Sequence, residues 1–121
     1  WIGQSDAVYV FEAPIDMLSY ITMCPDHWQE HSYVSLCGVA VHGLMQLLSD
    51  APQVKEVMLC LDNDEAGIQA EKRIKRHLEE RGYEKVFPLL PYQKDWNEDL
   101  KAMTKPPPAP VEKNQMMMQA E

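Results

Sequence analysis

The residues best suited to chemistry in this sequence are acidic and lie in two short segments. Glu12 opens a Glu-Ala-Pro-Ile-Asp segment that closes with Asp16, and Asp62 and Asp64 flank a single asparagine. In an extended segment, residues two apart project to the same side. Magnesium prefers oxygen ligands and is commonly held by one or two carboxylates together with a substrate phosphate. We therefore predict that Glu12, Asp62 and Asp64 form a Mg²⁺ site, with Mn²⁺ as the alternative ion.

Each of these carboxylates also has a purely structural interpretation. Asp64 precedes a long helical pattern and would serve as its N-cap, and Glu65 in the first turn would favour the helix dipole. Glu12 would then be a solvated residue at the end of a strand. Carboxylates after two different strands favour the metal site, because such a cluster without a cation leaves its charges repelling one another.

The acids follow short apolar segments that are typical of buried strands, and these alternate with helical patterns. The predicted strands cover residues 7–12, 32–36, 56–61 and 85–90, and the predicted helices cover residues 14–23, 41–48 and 65–81. Pro88 lacks a backbone donor, which places the fourth strand at a sheet edge. The alternation predicts an α/β fold with about four parallel strands and helices on both faces. Ligands of such sheets bind beyond the carboxyl ends of the strands, where the acids lie.

Two of the predicted helices carry further expectations. Helix 14–23 is expected to present one apolar face formed by Ile15, Leu18 and Ile21 or Thr22. Helix 65–81 is followed by Gly82, at the position where a glycine ends many helices.

The net charge limits what the chain binds by itself. Its 121 residues include 11 Lys and Arg against 19 Asp and Glu, which gives a formal charge of −8. The acids and bases of residues 104–121 cancel, so the whole of this charge falls on residues 1–103. An acidic surface opposes binding to a phosphate backbone. Contact with nucleic acid is therefore expected to need additional domains.

Basic residues are concentrated in the third predicted helix, at Lys72, Arg73, Lys75, Arg76 and Arg81. This pattern fits either a patch that faces nucleic acid or a solvated helix face. Interspersed glutamates, one of them four residues before a lysine, favour the solvated face.

We expect one folded domain over residues 1–103 and a disordered tail, rich in proline and methionine, over residues 104–121. The chain begins at Trp1 rather than Met, which we interpret as the start of a fragment. No apolar run approaches the roughly 18 residues of a membrane span, and no signal-peptide core is present. Three widely spaced cysteines are typical of reduced thiols. These features predict a cytoplasmic protein without membrane association.

Three motifs, in order along the chain, resemble the Toprim domain of topoisomerases, primases and related nucleases. They are Glu-Ala-Pro-Ile-Asp at residues 12–16, Asp-Asn-Asp-Glu-Ala-Gly at residues 62–67 and Lys-Asp-Trp-Asn-Glu at residues 94–98. The likeness covers roughly residues 6–101. The second and third motifs most resemble those of bacterial and phage primases and of primase-like proteins of mobile elements.

The resemblance implies a Rossmann-like Toprim fold with a catalytic domain over residues 1–103. It implies Glu12 as general acid or base, and Asp62 and Asp64, together with Glu12, as the magnesium ligands.

The resemblance also implies supporting positions at Asp16, Gly67, Lys94, Asp95 and Asn97. Among these, Lys94 would meet a phosphate and Asp95 would support the metal. At Ala13, this sequence departs from the glycine that many family members have.

The implied function is magnesium-dependent phosphoryl transfer on nucleic acid, most like priming, in the replication or transfer of a mobile element. The implied partners are DNA or RNA, reached through additional domains, and nucleotides. A Toprim nuclease, a topoisomerase-like enzyme and a non-catalytic binding module of a replication complex are the alternatives.

The charge distribution makes a direct prediction. We expect this chain alone to bind a short DNA with a dissociation constant weaker than about 1 μM at roughly 150 mM salt with magnesium present, because the acidic domain repels phosphates. Fluorescence anisotropy of a labelled oligonucleotide measures this. Micromolar or tighter binding would contradict the prediction.

Overall fold

The fold is known from a computed structural model that describes residues 1–37 and 41–104. Its strands are β1 (Ala7–Phe11), β2 (Ser32–Ser35), β3 (Glu56–Leu59) and β4 (Lys85–Pro88). Its helices are α1 (Pro14–Met23), α2 (His42–Asp50), α3 (Glu65–Glu80) and α4 (Trp96–Thr104), with one short 3₁₀ turn at Trp28–Glu30. All four strands and three of the helices match predicted segments. The predicted tail lies outside the described residues except for Thr104, which ends α4.

The four strands form one parallel sheet in the order β2-β1-β3-β4. The predicted α/β architecture with four parallel strands is therefore confirmed, and β4, which contains Pro88, lies at an edge as expected. The chain runs from β1 to β2 on one side and then returns to place β3 on the other side of β1. Neighbouring strands whose connections run in opposite directions leave a crevice at their carboxyl ends. In this sheet that crevice lies between β1 and β3.

Alternating side chains of the central strands fill two separate cores, one on each face of the sheet. Val8 and Val10 of β1 belong to the core formed with α2 and α3, where Leu44, Ile74 and Leu78 are fully buried. Tyr9 and Phe11 point the other way, to an aromatic core that includes Trp96. Helices thus cover both faces, as the sequence predicts, and none of the described helices is long and apolar enough to cross a membrane.

The expected apolar face of α1 is wrong for Ile15 and Leu18, although Ile21 packs against the aromatic core as expected. Ile15 and Leu18 are 56% and 57% exposed, whereas Asp16 and Ser19 are buried. The reason is that α1 packs mainly against α4, and α4 supplies polar partners to the inner face of α1. A buried polar group is tolerated when it is hydrogen-bonded, so tertiary pairing determines which face turns inward.

Helix α4 was not among the predicted helices, although its start carries a recognisable signal. The Asp95 side chain accepts a hydrogen bond from the Glu98 N–H at 2.8 Å, and this Asp-x-x-Glu spacing is an N-terminal helix signature. The Trp96 ring is buried, and its Nε1–H donates to the Cys60 carbonyl at 3.1 Å. This bond attaches the start of α4 to the end of β3, beside the crevice.

Two glycines have geometric roles around α3. Gly82 has a φ of 93°, in the left-handed region that glycine adopts without strain, and so it ends α3 as predicted. Gly67, in the first turn of α3, is buried, and a Cβ there would collide with the backbone carbonyl of Asp62. The first turn of α3 therefore packs directly on the segment that carries Asp62.

Because of this close approach, a larger residue at position 67 is expected to destabilise the fold. We expect Gly67→Ala to lower the free energy of unfolding by about 2 kcal/mol, because a methyl group forced into a packed site costs roughly 1–3 kcal/mol. Gly43→Ala in α2 is the control, since the nearest atom to a Cβ there is 3.6 Å away. Alanine also has the higher helix propensity, so stability should be unchanged or slightly higher. Urea unfolding of both variants measures this, and equal losses would contradict the prediction.

Candidate active site

The predicted acids meet at the crevice between β1 and β3. Glu12 directly follows β1, and Asp62 lies three residues after the end of β3. Because these strands are neighbours and parallel, their carboxyl ends place both side chains at one edge of the sheet. Glu12, Asp16 and Asp62 line a cleft of about 550 Å³.

The Glu12 and Asp62 carboxyl groups form a close pair. Burial raises the pKa of Asp62 to about 7, with further contributions from the charge of Glu12, a hydrogen bond to Glu12 and the charges of Asp64 and Asp95. Two carboxyl groups hydrogen-bond to each other only when one of them holds a proton. Without a metal ion, this pair therefore holds a proton near neutral pH.

One oxygen of Asp62 lacks a partner. Oδ1 of Asp62 is buried, and no described residue donates a hydrogen bond to it when both carboxylates are ionised. A buried acceptor without a partner costs about 1–3 kcal/mol, and more when it is charged. A cation or a proton at this oxygen would remove that cost.

Asp64 has the structural role that the alternative interpretation gave it. Its Oδ1 accepts a hydrogen bond of 2.7 Å from the Gly67 N–H, which caps α3. Asp64 does not line the cleft, yet its charge contributes to the raised pKa of Asp62. One carboxylate can serve both purposes, because the cap uses one of its two oxygens.

Asp16 is buried beside this pair and is only 4% exposed. Its Oδ1 accepts a hydrogen bond of 3.1 Å from the Asn97 N–H at the start of α4. Burial raises the pKa of Asp16, the Asn97 bond opposes the rise, and the charges of Asp95 and Asp62 add to it. The Asn97 Oδ1 also lies 3.2 Å from Ser19 Oγ. The Asp16–Asn97 hydrogen bond therefore joins α1 to α4 next to the Glu12–Asp62 pair.

Lys94 and Asp95 of the third motif make hydrogen bonds that stabilise the fold around the cleft. The Lys94 carbonyl accepts a hydrogen bond of 2.6 Å from the Asn63 N–H, and the Lys94 side chain is exposed. Asp95 caps α4. The Lys94–Asn63 bond holds the segment between Asp62 and Asp64 against the loop that follows β4. The phosphate contact of Lys94 and the metal-supporting role of Asp95 stay predictions.

Ala13 fits its position without strain. Its φ of −129° and ψ of 150° are those of extended backbone, which any residue adopts. A glycine is therefore not needed between Glu12 and α1.

Sequence reasoning assigned one cleft residue no role in the site. Arg73 of α3 is exposed and lines the same cleft as Glu12 and Asp62, whereas Lys72 and Arg76 of the same helix are exposed and do not line it. The signal was its spacing: Arg73 lies seven residues after Ala66, and that interval returns to the same side of a helix.

The donor set fits magnesium but does not form a complete cage. Within residues 1–37 and 41–104, no three His, Cys, Asp or Glu side chains are grouped as a metal site. Magnesium usually keeps several waters and takes one or two carboxylates together with substrate oxygens. The unpartnered Asp62 Oδ1 beside Glu12 meets that requirement, and Asp64 is near enough to influence Asp62.

Comparison with known proteins agrees with this fold. The family model described as Toprim-like matches residues 9–100. The chain belongs to the Toprim-like family. Toprim domains generally bind divalent metal ions. The fold is also similar to the crystal structure of the primase fragment of the bacteriophage T7 primase-helicase protein, with a TM-score of 0.68 and 26% identity over 87% of this chain. The predicted primase-type Toprim fold is thereby confirmed.

Two mycoplasma proteins are similar in sequence. The uncharacterized protein MG010 of Mycoplasma genitalium is 30% identical over 101 residues, and its homolog in Mycoplasma pneumoniae is 30% identical over 100 residues. Each alignment covers 78% of this chain. The chain spans 42% of the T7 fragment, 42% of MG010 and 43% of the homolog, so it corresponds to less than half of each.

The raised pKa of Asp62 predicts a pH-dependent stability in EDTA. The native state holds this proton up to about pH 7, whereas the unfolded chain loses it near 3.8. The native state therefore binds more protons between these values, and stability falls as the pH rises through them. Asp62→Asn removes this contribution, so its melting temperature should exceed that of the unmodified chain increasingly from pH 4 to pH 8.

The matched control is Asp26→Asn, which neutralises an exposed carboxylate outside the cleft. Its melting temperature should follow that of the unmodified chain at every pH. Calorimetry across the pH range gives both curves. A constant difference between Asp62→Asn and the unmodified chain would contradict the raised pKa.

Proposed function

We propose that this chain is the catalytic Toprim domain of a magnesium-dependent enzyme that transfers phosphoryl groups on nucleic acid, and that its reaction is primase-like. The observation that carries the proposal is the Glu12–Asp62 pair at the crevice of a Toprim-like sheet, in which the buried Oδ1 of Asp62 has no hydrogen-bond partner among the described residues. The similarity to the T7 primase fragment supports priming rather than another Toprim reaction. DNA or RNA, nucleotides and a role in replication or in a mobile element belong to this proposal.

The proposed metal-binding residues are Asp62 and Asp64, with Glu12 beside them. A bound Mg²⁺ would neutralise charge that develops on phosphate oxygens during transfer. Asp64 is held in place by its bond to the Gly67 N–H, so its free oxygen has a fixed direction. The first turn of α3 packs against the backbone of Asp62 at Gly67, which restricts the position of Asp62.

Glu12 is the proposed proton carrier. It is half-buried at the end of β1 and close enough to Asp62 to share a proton. A positioned acid or base contributes about 10²- to 10⁴-fold to a proton-transfer step. Asp16 and Asn97 contribute by position, because their hydrogen bond fixes the start of α1, two residues after Glu12, against α4.

The metal assignment predicts a thermal response to magnesium. At a tenfold excess of Mg²⁺ over its Kd, binding stabilises the fold by about 1.4 kcal/mol, which corresponds to about 6 °C for a domain of this size. The double variant Asp62→Asn, Asp64→Asn should lose this response while keeping the α3 cap, since asparagine caps helices as well as aspartate does. Differential scanning calorimetry at 0 and 10 mM Mg²⁺ measures both shifts.

Asp26→Asn with Asp50→Asn is the matched control for this test, because both carboxylates are exposed away from the cleft. That variant should keep the full magnesium response. An unmodified chain whose melting temperature ignores 10 mM Mg²⁺ would overturn the proposed metal site.

Proton transfer is tested separately from metal binding. Glu12→Gln retains the shape of the side chain, so most of the magnesium response should persist. Primer synthesis from nucleotides on single-stranded DNA by the full-length protein should fall about 100-fold or more, because the proton carrier is lost. Glu79→Gln, on the exposed side of α3, should leave the rate unchanged.

Cutting of DNA without extension would instead identify a nuclease. Activity that survives Glu12→Gln would favour a non-catalytic module.

A further inference from the structure

The cleft contains a positively charged side chain, Arg73, to which the proposed chemistry gives no role. Arg73 is the one positively charged residue among the described residues that line the cleft with Glu12, Asp16 and Asp62. It lies on α3, the helix whose first residues follow the metal-binding segment.

The geometry of α3 aims Arg73 toward the carboxylates. Ala66, Ala70 and Arg73 follow one another at intervals of four and three residues, so they lie along one side of the helix. At 1.5 Å per residue, Arg73 is about 13 Å along the axis from Asp64, and helical side chains tilt back toward the N-terminus. The two alanines are small, and so they leave the space between the carboxyl pair and Arg73 open.

Arg73 has no protein partner in the described part of the chain. The ion pairs found there involve Lys85, Lys101 and His27, and Arg81 contacts His77 instead. No hydrogen bond from the Arg73 side chain to a described residue is formed either, although three carboxylates line the same cleft. Its five N–H donors are therefore available to a ligand.

The negative charge of the cleft suggests a function for the Arg73 side chain. Glu12, Asp16 and Asp62 carry more negative charge than one divalent ion cancels, so an anionic substrate would still be repelled. A further positive charge, placed away from the carboxylates rather than paired with them, offsets this repulsion where the substrate extends along α3. The planar guanidinium group matches the oxygens of a phosphate with two parallel hydrogen bonds.

The geometry points to Arg73 as a phosphate-positioning residue: it binds the substrate phosphate next to the one held at the carboxylates. The phosphate belongs to a nucleotide or to a nucleic-acid strand, which share this chemistry. This inference rests on the proposed function and identifies how the same site holds its substrate.

The test compares Arg73→Gln with Arg76→Gln, an arginine on the same helix that is exposed and does not line the cleft. Binding of ATP and of a short oligothymidylate to the chain is measured by calorimetry at low salt with 10 mM Mg²⁺. We expect Arg73→Gln to weaken at least one of these ligands about tenfold or more, and Arg76→Gln to change both less than about twofold. Arg73→Lys should recover only part of the loss, since lysine lacks the planar fork.

The ligand that is weakened identifies the source of the phosphate. If it is the oligothymidylate, the slope of log K against log salt should also become shallower by about 0.7, the value for one phosphate contact on a single strand. Equal losses in the two arginine variants, or no loss with either ligand, would overturn the inference.

The magnesium-induced rise in melting temperature separates this inference from the proposed function. Arg73→Gln should keep that rise, because Arg73 is not a metal ligand. A rise that is present in the unmodified chain, together with unchanged ligand binding by Arg73→Gln, would reject only the role of Arg73. A rise that is absent from the unmodified chain would reject the proposed metal site itself.

Discussion

Repulsion between two carboxyl groups at the ends of neighbouring parallel strands is the constraint on which this site depends. Glu12 and Asp62 are brought together because β1 and β3 pair in parallel and both end at the same edge of the sheet. Partial burial strengthens their repulsion, since charges interact more strongly away from water. The fold tolerates the pair only with a proton or a cation between the groups. Burial, which is the larger cause, and the repulsion by Glu12 together raise the pKa of Asp62, and both effects are relieved when a proton or a cation lies between the groups.

The surrounding structure keeps the two groups from moving apart. Gly67 lets α3 pack on the Asp62 backbone, and the Trp96 Nε1–H anchors α4 to the carbonyl of Cys60, two residues before Asp62. On the other side, the Asn97 N–H binds Asp16, four residues after Glu12. Both segments that carry the pair are therefore attached to α4 as well as to the sheet. Such a scaffold maintains a repulsive arrangement that separate loops would relax.

Sequence patterns predicted the sheet well because its signals are local. Short apolar runs specified the strands, Pro88 specified an edge, and Gly82 specified the end of α3. The inner face of α1 could not be predicted in this way. Its apolar residues Ile15 and Leu18 face outward, since Asp16 is satisfied by Asn97, which lies 81 positions along the chain. Partners so distant leave no periodic trace in the helix that they orient.

The site shows the same division between local and distant information. Motif spacing predicted that Glu12 and Asp62 lie at one edge of the sheet, as they do, but it could not decide whether Asp64 is a helix cap or a metal ligand. The structure indicates that these roles are compatible, because the bond to the Gly67 N–H engages only Oδ1 of Asp64. A capping carboxylate loses rotational freedom when the helix folds, so ion binding does not have to order that side chain again. The structural role of Asp64 therefore prepares its second oxygen for the proposed role in metal binding.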